Sequence, residues 1–328
     1  MKKITALILI CTTILFTLSG CKSSQKTTSS QITDKSKLTI TASVFPVYDW
    51  VRAIVGDYPE VTVNLLLDNG VDLHSYQPTA DDILKITQSD LFIYVGGESD
   101  KWLEDTLNQS TNKNLKTINL MEILGENVKE EKIVEGMEVC HNHQHNEAPE
   151  YDEHIWLSIK NAKICCEKIA EALKEIDADT YNAQFSNNAN SYLAKLDSLD
   201  KAYTKAVQEA NKDTLIFGDR FPFLYLLEDY GLNYYAAFIG CSAETEASFN
   251  TITFLSSKVD ELGAKAVLTI DKSDKKIAET IIDNTKTKNQ RVLELNSMQS
   301  TTSQDGEKGV TYLSVMENNL KVIEEALK

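Results

Sequence analysis

The sequence predicts an α/β protein in which two parallel-sheet βα lobes are joined by a single long backbone helix. Three observations predict it. Short β-branched or apolar runs alternate with longer helical patterns in the first half of the chain, and the same alternation returns in the second half. Between the halves lies a stretch with helical periodicity that no Gly or Pro interrupts. Alternation of this kind implies parallel sheets covered on both faces.

In the first half, Leu38–Ala42, Val61–Leu66 and Leu91–Val95 read as strands. Val47–Val55 and Asp81–Gln88 read as the helices between them, the second entered at Pro78-Thr79. In the second half, Thr214–Phe217, Tyr234–Phe238, Ala266–Ile270 and Arg291–Leu295 read as strands. Phe223–Tyr230, Phe249–Leu262 and Lys275–Asn284 read as their helices. The central stretch, 177–212, carries Tyr181, Phe185, Ala189, Tyr192, Leu196, Leu199, Tyr203 and Val207. Steps of three and four put these on one face of a helix, and such a helix spans roughly 45 Å at its usual rise, long enough to run behind two lobes. The expected domains are therefore 38–176, the linking helix 177–212, and 213–328.

The start of the chain reads as an export signal. Lys2 and Lys3 precede an uncharged run from Ile4 to Leu18, and Leu18-Ser19-Gly20-Cys21 closes it. A run of 15 residues is short for a membrane span. Residues 21–37 are rich in Ser, Thr, Lys and Gln, as a flexible tether should be. About 290 residues follow it, enough for two cores. Removing residues 1–20 takes away two lysines and no acid, so the formal net charge moves from −16 to −18. No basic stripe is present to neutralise phosphates, which excludes nucleic acid as the expected partner.

The 6 cysteines do not make a disulfide framework. Cys11 lies in the export signal, and Cys165 and Cys166 are neighbours on a helical pattern, where adjacent side chains diverge. Cys140 abuts a histidine cluster, and Cys241 reads as a small buried or loop residue.

Histidine use is concentrated. Of the 5 in the chain, His141, His143, His145 and His154 fall between Cys140 and Trp156 among Glu147, Glu150, Asp152 and Glu153. His74 sits in H-S-Y-Q-P, past the carboxyl end of a predicted strand, the edge where open α/β sheets collect ligands. Neutral imidazole is the commonest protein ligand for zinc and similar ions. His74 and His154 are therefore the leading metal-ligand candidates. The alternating His141, His143 and His145 read as a loop, near 140–153, that either gathers metal or is merely solvated.

At this point a resemblance becomes specific. His74–Asp82 (H-S-Y-Q-P-T-A-D-D) and Glu150–Ala162 (E-Y-D-E-H-I-W-L-S-I-K-N-A) resemble signature segments of the solute-binding lipoproteins of zinc and manganese ABC importers. The histidine-rich loop just upstream resembles theirs too. Tyr181, Asn188-Ala189, Tyr192, Lys195-Leu196 and Leu199-Asp200 are similar to the family's backbone helix, and Thr311–Leu320 to its last helix. The likeness covers essentially the whole chain after the tether. It implies one metal held between two lobes, with His74 and His154 as ligands, and L-S-G-C resembles the bacterial lipobox, with Cys21 as the lipidated residue.

The second lobe departs from the pattern. Where the family offers a histidine or glutamate, this chain reads F-G-D-R-F-P-F-L-Y, which puts Arg220 at the ligand position. A guanidinium cannot bind a cation, so Asp219 is the expected substitute, with helix capping or arginine pairing as its alternative. The family's final aspartate is also missing. Asn296 and Ser297 lie nearest its place, and Cys241, Glu244 and Glu246 are further candidates, each with helix capping or surface charge as the plainer role.

The expected function is extracytoplasmic binding of a divalent ion, zinc before manganese because the ligands are imidazoles, and delivery to the membrane permease of an ABC importer. The resemblance implies a monomer, lipid-anchored to the bacterial cell membrane, and no enzyme. Two other classes stay in view: a metal-dependent hydrolase, although no H-E-x-x-H or G-x-S-x-G is present, and a surface adhesin or metal-complex-binding lipoprotein.

Overall fold

Strand β1 (Leu38–Ala42) opens the first lobe, followed by α1 (Phe45–Val55) and β2 (Val61–Leu65). These come from a computed structural model that describes residues 38–138, 150–176, 182–242 and 246–328. The export segment, the tether, Cys21, Cys140, His141, His143, His145, Glu147, Tyr181 and Glu244 lie outside the described residues. Residues 36–328 form one compact unit. None of the described helices is long and apolar enough to cross a membrane.

Local chemistry sets the boundaries. Pro46 occupies the first turn of α1, where its missing N–H costs nothing, and Gly56 ends the helix at φ +70°. Helix α2 (Ala80–Thr87) starts with a reciprocal cap, Thr79 and Asp82 each accepting the other's backbone N–H. β3 (Leu91–Tyr94), α3 (Trp102–Gln109), β4 (Lys116–Asn119) and α4 (Leu120–Leu124) complete the lobe. The sheet is parallel in the order β2-β1-β3-β4. Strand β4 was not anticipated, because K-T-I-N is a short, half-exposed edge strand without an apolar run.

After α5 (Ile159–Ile176) and α6 (Asn182–Glu209), the second lobe repeats the plan. It runs β5 (Thr214–Phe221), α7 (Leu224–Tyr230), β6 (Asn233–Ile239), α8 (Phe249–Leu262), β7 (Ala266–Ile270), α9 (Lys276–Asp283) and β8 (Arg291–Leu295), closing with α10 (Ser303–Glu307) and α11 (Tyr312–Ala326). Its sheet order is β6-β5-β7-β8, the same pattern as the first. Both orders reverse at their first strand, the place where parallel sheets open a crevice at their carboxyl edge. β5 continues past its predicted end at Phe217, but its register breaks between Phe217 and Arg220.

The apolar stripe of α6 is buried: Phe185, Ala189, Tyr192, Leu196, Leu199 and Tyr203 are each 6% exposed or less. They join a core shared by residues of both sheets, α1, α5 and α11. A second core fills the other face of the second sheet, around Phe238, Leu255, Val259 and Ile281. This is the expected α/β architecture with a single long connecting helix.

Asp49 links α1 to the end of the chain, its carboxylate accepting the backbone N–H of Tyr312 at 2.9 Å. Burial pushes its pKa up from 3.8 to about 6. A carboxyl raised on folding adds stability that is complete below pH 3.8 and lost as pH rises through 6. Asp49→Asn keeps an acceptor for Tyr312 and removes that loss. Urea denaturation should show it up to about 3 kcal/mol more stable than the native chain at pH 7 and equal to it near pH 4.

Candidate metal centre

His74 stands on a single 3-10 turn, Leu73–Ser75, beyond β2. Asp72 caps the turn, its Oδ1 accepting the N–H of Ser75 at 3.1 Å, and buried Leu73 anchors it. The His74 Nδ1 lies 3.0 Å from Ser99 Oγ and 3.6 Å from Glu153 Oε2. His154 stands before a second 3-10 turn, Ile155–Leu157, whose residues are all buried. Asp152 Oδ1 accepts both the backbone N–H and the ring Nδ1–H of His154, each at 2.8 Å. A carboxylate on Nδ1 fixes the tautomer that turns a lone pair of Nε2 outward.

Two glycines make room for this. A Cβ on Gly240 would meet His154 Cε1 at 2.9 Å and Phe221 O at 3.0 Å. A Cβ on Gly97, at φ +89°, would meet Glu153 Oε1 at 2.3 Å.

The two rings converge. His74 Nε2 and His154 Nε2 are 3.2 Å apart, with the ring planes at 58°. Two imidazole nitrogens on one tetrahedral zinc ion, each about 2.0–2.1 Å from it, are separated by about 3.3–3.4 Å. Without an ion the same spacing fits one shared proton. Burial opposes charge on both rings, but Asp152 overrides it at His154, whose pKa rises above 6.5. Burial and the facing His154 together lower His74 to about 3, with Arg220 adding to the effect. His74 therefore stays the uncharged ring of the pair.

The other candidates are dispersed. Asp219 lines a cleft of about 420 Å³ together with Asp72, Ser75, Arg220 and Gln299. Its two oxygens accept the N–H groups of Arg220 (2.8 Å) and Ile270 (3.4 Å), which patches the register break in β5. Arg220 spans the cleft to Asp72, Nη1 to Oδ2 at 3.0 Å. Asn296 is spent on local structure: its side-chain oxygen accepts Met298 N–H, and its backbone bonds Asn319 on α11. Ser297 donates its N–H and hydroxyl to Asp271 Oδ1, each at 2.7 Å. Glu246 is exposed and acts on Lys276. Cys241 Sγ donates to Glu131 Oε1, and with Glu150 these form a separate group of possible ligands.

One residue was missed from the sequence. Gln299 is 7% exposed, and its Oε1 has no hydrogen-bond partner among the described residues. It lies close enough to His154 to favour the protonated ring. A buried amide oxygen with no donor costs free energy unless a cation meets it. No signal in the sequence marks it, since only the fold shows that the oxygen is unpaired.

Residues 40–326 match the family model described as ZnuA, zinc-uptake complex component A, periplasmic. The chain is 31% identical over 292 residues to the zinc-binding lipoprotein AdcA of Streptococcus pneumoniae, a match covering 88% of this chain and 56% of that one. It is 28% identical over 294 residues to the high-affinity zinc uptake system protein ZnuA of Bacillus subtilis, covering 89% and 88% of the two. Among solved structures it is similar to the Zn(II)-bound ZnuA-like domain of pneumococcal AdcA. That likeness has a TM-score of 0.69 and 28% identity over 89% of this chain and 99% of that one. The chain thus spans little more than half the length of the streptococcal relatives it matches.

Proposed function

Because the chain belongs to the ZnuA family of zinc-uptake components, we propose that it captures Zn2+ outside the cytoplasmic membrane and hands it to the permease of an ABC importer. The observation that supports this most directly is the 3.2 Å approach of His74 Nε2 to His154 Nε2, the spacing of two ligands on one zinc ion. Gln299 Oε1 is the third donor, water fills a fourth position, and Asp219 supplies negative charge to the cleft that Gln299 lines. Imidazole ligands favour zinc over manganese. The reading contains no catalytic step. In it, Cys21 carries the lipid anchor, residues 21–37 are the tether, and His141, His143 and His145 gather metal for the cleft. The protein works as a monomer.

The test is calorimetry on protein starting at Ser36. It should bind one Zn2+ per chain, and His74→Ala should weaken that binding at least a hundredfold. Undiminished stoichiometric binding by the His74→Ala protein would remove this reading.

A further inference from the structure

A carboxylate near a pair of imidazoles is a ready ligand for hard cations, and Asp72 caps the turn that carries His74. It sits two residues before His74 and lines the same cleft as Gln299. Its Oδ1 is used to cap the turn that carries His74. Its Oδ2 is taken by Arg220 Nη1 at 3.0 Å, a group that comes from β5 of the other lobe and also reaches Ser242 O at 3.4 Å. Both side chains are mostly buried, 21% and 14% exposed, so water screens the pair little.

The guanidinium stays charged at all accessible pH and has no lone pair to offer. It therefore ties up a carboxylate oxygen of the turn that carries His74 and adds a positive charge to the cleft an incoming ion must enter. Ions differ in how much this costs them. Zn2+ binds imidazole strongly, whereas Mn2+ depends on carboxylate oxygens for its affinity.

We infer that Arg220 is a selectivity residue: by holding Asp72 out of the coordination sphere, it keeps the site poor in anionic oxygen and biased against Mn2+. This rests on the proposed metal site at His74 and His154. It assigns a role to the position where the resemblance leads one to expect a ligand and the chain has a cation.

The experiment compares Zn2+ and Mn2+ affinities, titrated separately, for protein starting at Ser36 and its Arg220→Gln variant. The variant should bind both ions at least as well as the native chain, with its preference for Zn2+ over Mn2+ reduced at least tenfold. Adding Asp72→Asn to Arg220→Gln should restore the native preference. An Arg220→Gln protein that binds zinc with the native preference overturns the inference.

Should Arg220→Gln fail to fold, Asp72→Asn alone decides. It should weaken both ions in equal proportion, because Asp72 is already masked. A selective loss of Mn2+ would show Asp72 coordinating in the native chain and would equally overturn the inference. His74→Ala, run alongside, separates failure of the site itself, since its zinc binding would then survive.

Discussion

Replacing His154 with alanine abolishes zinc binding and also destabilises the metal-free protein by about 3–5 kcal/mol. Both effects follow from the fully buried ring and the nearly buried Asp152, 0% and 3% exposed, which form a hydrogen-bonded pair. Removing one member of such a pair strands the other charge in a poorly solvated place, and the loss typically has this size. The pH dependence carries the same signature. A histidine whose pKa rises on folding contributes stability that is complete below pH 6.5 and lost as pH climbs through the higher folded value. The native apo protein should therefore lose stability between pH 6.5 and the alkaline side, and His154→Ala should lack that loss. Zinc affinity moves the other way, since the proton on His154 must leave before the ion binds. Urea denaturation across this range checks the first claim, and a native-like pH profile in the variant would refute it.

The second large effect is expected at Trp156. Its indole is 1% exposed and donates to Ser297 O at 2.9 Å, while its own carbonyl accepts the hydroxyl of Tyr312 at 2.8 Å. The ring also lies edge-on to His154, 5.5 Å between centroids. Trp156 thus joins the His154 turn to the loop that carries Gln299 and to the start of α11. Trp156→Ala should cost about 3–5 kcal/mol through the cavity it leaves. It should also weaken zinc roughly tenfold, because the Gln299 loop loses its tie, while stoichiometry stays at one. Trp156→Phe keeps most of the packing and should lose only about 1–2 kcal/mol, the cost of an unpaired carbonyl. Thermal and calorimetric measurements on the two variants separate packing from the hydrogen bond. Unchanged zinc affinity in Trp156→Ala would show that Gln299 needs no support from this side.

The fold was legible because its signals are local. Short β-branched or apolar runs at Leu38–Ala42 and Ala266–Ile270, and the stripe from Phe185 to Tyr203, each state their own conformation. β4 escaped because four residues with a lysine and an asparagine carry no such signal. His74 and His154 could be singled out by residue type and neighbours, but the 3.2 Å between them is a tertiary fact linking positions 80 residues apart. Asp219 reads from the sequence as a metal ligand, with helix capping or arginine pairing as its alternative; that its oxygens accept backbone N–H groups at the break in β5 is a demand only strand pairing creates. The Arg220–Asp72 pair joins positions 148 apart, and Gln299 stands out only through a partner it lacks.

The two sheets share one strand order, yet they are unequal in what they give to the cleft. Both imidazoles come from the chain before α6, while Asp219, Arg220 and Gln299 come after it. On the proposed reading, a duplicated plan is divided between a half that supplies both imidazoles and a half that sets the polar and charged groups around them. Substitutions after α6 would then retune which ion is held without touching the two imidazoles.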